Sequence, residues 1–94
     1  MQNNHWMQRI AEGMDLSGEA MPGLPLVEIT GDRSVLIEWH RGVAAYSNTE
    51  ISVVVSYGQV NIHGNQLKLQ YMSKETLIII GRIDSVELMR RSDP

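Results

Sequence analysis

The period of the apolar residues changes once along this chain, and that change limits the possible folds more than any other feature. Up to residue 14, Met7, Ile10, Ala11 and Met14 recur at i, i+3, i+4 and i+7, the spacing of one helix face, with Trp6 widening the stripe. From Leu24 onward the spacing falls to two. "SVLIEWH" puts Val35, Ile37 and Trp39 on one face and Leu36, Glu38 and His40 on the other. "EISVVVSY" aligns Ile51, Val53, Val55 and Tyr57 in the same way, and Val60, Ile62, Leu67, Leu69 and Tyr71 continue the inward set. Short breaks at "GDR", "SNT", "GN" and "SKE" carry turn residues and leave no room for crossover helices. The pattern predicts an all-β fold with one N-terminal helix: a small antiparallel meander, sandwich or partly open barrel of seven to eight short strands.

The breakers divide the chain into three parts. Residues 1–15 form the amphipathic helix, with Asn3 or Asn4 as cap and Gly13 at its frayed end. Residues 16–23, rich in small residues, glycine and proline, read as a linker, and residues 24–91 as the β-domain. Ninety-four residues suit one domain with a thin core, because a chain this short buries only about 60–65% of its unfolded surface. A flat or edge-on binding surface is easier to build on such a frame than a deep pocket.

Charge and cysteine content remove several classes of function. The net charge is −3, and the eight lysines and arginines are scattered among carboxylates, which argues against nucleic acid as a partner. With no cysteine there is no disulfide framework and no thiolate chemistry, so a reducing compartment is expected. The N-terminus lacks a signal-peptide core, and the apolar runs fall well short of the ~18 residues of a membrane span. The expectation is a soluble intracellular protein with no direct membrane insertion.

Few residues invite a chemical role. Glu38 and His40 share a strand face beside Arg41-Gly42, so the carboxylate could tune a histidine base. No nucleophile or third member accompanies them, and the residues read more simply as a polar strand face ending in a hairpin turn, with Gly42 at positive φ. His63 precedes the Gly64-Asn65 turn and reads as a solvated turn residue rather than a zinc ligand. No phosphate loop is present. The expectation is a non-enzymatic protein without a cofactor or metal. Its apolar helix stripe either docks on a partner, lies on a membrane surface or caps its own sheet. Strand runs such as "ISVVVSY" and "TLIIIG" suit strand-to-strand assembly if they lie at edges, or burial if they are central.

The segments "LPLVEITG", "IEWHRGV", "YSNTEI", "GQVNIHGNQLKLQYM" and "TLIIIGRIDSVEL", spanning Leu24 to Leu88, resemble the YabP/YqfC family of sporulation proteins, and its YqfC branch more closely. Glu38, His40, Arg41, Gly42, Gly58, Val60, Ile62 and Gly64 match the family pattern, and Trp39 lies outside it. The resemblance implies a small mother-cell protein that acts in spore envelope assembly, located in the cytoplasm or at the forespore surface. It also implies no enzymatic activity, and partnership with a membrane-anchored sporulation protein encoded by the neighbouring gene. On this reading the chain works by homo-oligomerisation or docking, with Trp6, Met7, Ile10, Glu38, His40 and Arg41 as contact residues. A regulatory or ligand-binding β-module, OB-like, is the alternative. It calls for an aromatic-lined strand face, whereas most tyrosines here are predicted to point inward.

Overall fold

The computed structural model describes residues 23–92; the expected helix, and with it Trp6, Met7 and Ile10, lies outside them. The described residues are all-β, with six strands in one antiparallel sheet. They are β1 (Leu26–Thr30), β2 (Ser34–Glu38), β3 (Val43–Tyr46), β4 (Glu50–Val55), β5 (Gly58–Met72) and β6 (Thr76–Arg90), in the order β1-β2-β6-β5-β4-β3. The strands number six rather than seven or eight because two expected breaks are absent. "GQVNIHG" and "QLKLQYM" form one 15-residue strand, as do "TLIIIGRI" and "SVELM".

The long β5–β6 hairpin folds over on itself, which makes two layers from one sheet. Ladder irregularities fall between His63 and Gly64, Asn65 and Lys68, and Leu69 and Tyr71. Extra residues of this kind bend a strand without ending it. On one side of the bend, β1, β2, residues 76–80 of β6 and residues 68–72 of β5 make the first layer. On the other, β3, β4, residues 58–63 of β5 and the end of β6 make the second. Gly64 and Gly81 let the two backbones close on each other here. A Cβ on Gly64 would run into the Arg82 carbonyl, and one on Gly81 would sit 2.6 Å from the Gln66 carbonyl oxygen at a φ of +140°.

Bending strips β5 and β6 of ladder partners, and two turns replace them. Gly81 and Ile83 donate their N–H groups to the carbonyls of Arg33 and Asp32 in the β1–β2 turn. Gly64 and Leu67 donate to Thr49 and Asn48 in the β3–β4 turn. The "GN" pair is therefore not a turn but the hinge of a strand, and His63 sits within β5, half-buried and paired with Glu50 and Ser85. The turns at "GDR", "SNT" and "SKE" stand where expected. Ser47 Oγ accepts the N–H groups of Thr49 and Glu50, and Ser73 Oγ accepts those of Glu75 and Thr76.

One core fills the space between the layers. Val35, Ile37, Leu77 and Ile79 come from the first, Ile51, Val53, Val55, Val60 and Ile62 from the second, and Leu67 and Ile83 close it at the bend. Each fully buried side chain of this size contributes roughly 1.5–3 kcal/mol. Two members of the expected inward set leave it: Trp39 is 56% exposed and Tyr71 51% exposed, while Tyr57 packs half-buried against the core.

Candidate functional site

Residues 39–42 hold the arrangement that the strand pattern does not foresee. β2 and β3 are not neighbours in the sheet, so "WHRG" is no hairpin tip: it is the link that carries the chain from one layer to the other. Trp39 has φ +68°, a left-handed conformation rare for a bulky side chain. Its N–H donates to the Glu75 carbonyl at 2.6 Å, in the β5–β6 turn. The reversed backbone inverts the alternation, so Trp39 points to solvent and His40 turns inward.

His40 then ties the link to the β5–β6 turn. It is only 8% exposed. Nδ1 accepts the Gly42 N–H at 3.0 Å, so that nitrogen carries no proton, and Nε2–H donates to the Ser73 carbonyl at 2.8 Å. Both nitrogens are thus committed to backbone partners in one neutral tautomer. Gly42 has φ +120°, the positive value expected of it, and its carbonyl accepts the Val54 N–H at 2.8 Å while Arg41 N–H donates to the Val54 carbonyl at 2.7 Å. Those bonds fasten the link to β4. His40 is therefore a buried fastener between the layers and does not share a polar surface with Glu38 and Arg41. Glu38 stays half-buried on the outer side of β2, and the Arg41 side chain is exposed.

The outer faces of the two layers differ in chemistry. On the second layer the rows read Glu50-His63-Ser85, Ser52-Asn61-Glu87 and Val54-Gln59-Met89, mostly polar, with Ser52 and Asn61 buried and Asn61 donating to the Met89 sulfur. On the first layer one row is Glu28-Leu36-Ile78-Tyr71 and the next Thr30-Ser34-Ile80-Lys68, with Leu26 at the margin. An open notch lies at the bend, lined by Arg33, Asn65, Gln66, Gly81 and Arg82, and Arg82 faces Asp84 at 3.6 Å. Among the described residues no group of three or more histidines and carboxylates could hold a metal ion, and no helix is long and apolar enough to cross a membrane.

Strand edges complete the picture. Among the described residues, β1 and β3 each pair on one side only, and residues 84–90 of β6 have β5 as their sole partner. Leu26 and Ile29 lie exposed along β1, with Leu24 exposed just before it, and Leu88 and Met89 along β6. Tyr46, whose hydroxyl accepts the Leu69 N–H at 3.3 Å, is exposed as well. Two of the three tyrosines thus stand outward, contrary to the inward phase predicted for most of them.

A folded-over antiparallel sheet of this kind, with open edges and a histidine fastener, defines a small β-module. The chain belongs to the YabP family, whose model matches residues 25–94. It is 27% identical over 81 residues to the uncharacterized protein YqfC of Bacillus subtilis (strain 168), covering 86% of this chain and 84% of that protein. No solved structure matches it.

Proposed function

We propose that this protein is a non-enzymatic structural or interaction protein of endospore formation, acting in spore envelope assembly. It works by homo-oligomerisation or by docking to a membrane-anchored sporulation partner, from the cytoplasm of the mother cell or at the forespore surface. Membership of the YabP family and similarity to YqfC support the sporulation context. The observation that carries the mode of action is the apolar edge of β1. Natural sheets usually protect an edge with charge, proline or a cover. Here Glu28 is the single charge on β1, beside exposed Leu26 and Ile29. Such an edge accepts a strand from another chain through backbone hydrogen bonds, with side-chain pockets setting specificity.

The test joins mass with phenotype. Light scattering on the full chain, and on the chain with Ile29→Pro, reads assembly directly. The expected result is a concentration-dependent mass, or a complex with the membrane-anchored partner, that Ile29→Pro abolishes because proline removes an edge donor. Deleting the gene should lower the yield of heat-resistant spores. A monomer that binds no partner and a normal spore yield together overturn the proposal.

A further inference from the structure

The strand run Leu77-Ile78-Ile79-Ile80 is apolar on both faces, although only Leu77 and Ile79 point into the core. Continuous apolar runs of this kind belong to strands covered on both sides. The second face is not isolated. Leu36, Ile78 and Tyr71 stand in register across three strands, with Ile80 in the next row and Leu26 at the margin. Tyr71 is 51% and Leu26 49% exposed, and Leu36, Ile78 and Ile80 are half-buried beside Glu28, Thr30, Ser34 and Lys68; the corresponding rows of the second layer are more polar, with Val54 and Met89 as their apolar members.

We infer that residues 3–14 of the same chain lie across this face, with Met7, Ile10, Ala11 and Met14 against Leu36, Ile78, Ile80 and Tyr71. Three observations select that occupant. Residues 1–22 precede Gly23, which lies three positions before Leu26, the start of β1, the outer strand of this layer. From β1 to β6 is two strand spacings, about 10 Å, and the eight residues 16–23 reach about 26 Å when extended. The size fits too. Four strands of five residues present a face on the order of 250 Å², far below the ~800 Å² per partner that a stable dimer needs. A 12-residue helix is about 18 Å long and spans the four strands, whose outer pair stand about 14 Å apart. Last, the segment's apolar residues share one side at period 3.6, which is what a flat apolar face requires of a helical cover. Tethering places the segment at millimolar effective concentration, so modest contact area suffices.

The inference concerns the face rather than the β1 edge, so it stands or falls separately from the assembly reading. Hydrogen exchange read by mass spectrometry on the full chain tests it, at two concentrations tenfold apart, beside the variants Ile78→Glu and Ile10→Glu. Amides of residues 3–14 should exchange at least ~10-fold more slowly than an unstructured chain, equally at both concentrations, and either variant should abolish that protection. Ile10→Glu lies outside the β-domain, so it reads the contact even if Ile78→Glu fails to fold. Exchange at the unstructured rate in the unaltered chain overturns the inference. So does protection that survives Ile10→Glu, or protection that rises with concentration, which would make a second copy the occupant.

Discussion

His40→Ala is the most direct test of the layer-fastening role. The substitution deletes two hydrogen bonds, to the Ser73 carbonyl and from the Gly42 N–H. Each contributes roughly 0.5–1.5 kcal/mol, and more where the abandoned group stays buried. The ring is 8% exposed, and its loss leaves a void that adds about 1 kcal/mol. The expected destabilisation is therefore about 2–4 kcal/mol. A folded unit of this size holds only ~4–10 kcal/mol in total, so roughly half its stability is at stake. Urea denaturation followed by both circular dichroism and tryptophan fluorescence measures the change. With a slope near 1–1.5 kcal/mol/M, the midpoint should fall by about 2 M. Arg41→Ala is the internal control: its side chain is exposed and makes no hydrogen bond among the described residues, while the Arg41 backbone bond to Val54 remains. It should stay within ~0.5 kcal/mol of the unaltered protein. A His40→Ala midpoint indistinguishable from that of Arg41→Ala would refute the fastener.

Three further outcomes follow from the same geometry. Trp39→Asn should leave stability unchanged or raise it by up to ~1 kcal/mol in denaturant titrations, since the side chain is largely exposed and asparagine tolerates the +68° φ that tryptophan resists. Gly81→Ala should lower stability by ~2–3 kcal/mol, because the +140° φ and the Gln66 carbonyl both oppose a Cβ; a neutral result in thermal melts would mean that the bend is not where the strands close. Leu77→Ala, at a fully buried site shared by both layers, should cost about 2–5 kcal/mol, whereas Leu88→Ala, exposed near the end of β6, should stay below ~0.5 kcal/mol in the same assay.

Much of this molecule was readable from its residues alone. The period-2 spacing placed Val35 and Ile37, Ile51, Val53 and Val55, and Val60 and Ile62 on core faces, and all are buried. The turns at "GDR", "SNT" and "SKE" carry their own instructions, a glycine or a serine whose oxygen caps the following N–H groups. Local chemistry decides such features, so a local reading finds them. Three others depended on tertiary structure. Alternation reports a side chain's face only while the backbone stays extended, and Trp39 breaks it because its N–H meets Glu75, 36 positions later in the chain (75 − 39). That distant contact sends the tryptophan out and His40 in. Gly64-Asn65 looks like any glycine-asparagine turn, yet it is the hinge of a 15-residue strand because Thr49 and Asn48 supply the bonds the bend removes. And in "LIII", where every residue is apolar, the residue types are the same on both faces; which one enters the core was settled by β2, through the pairing of Val35 with Ile79 and Ile37 with Leu77.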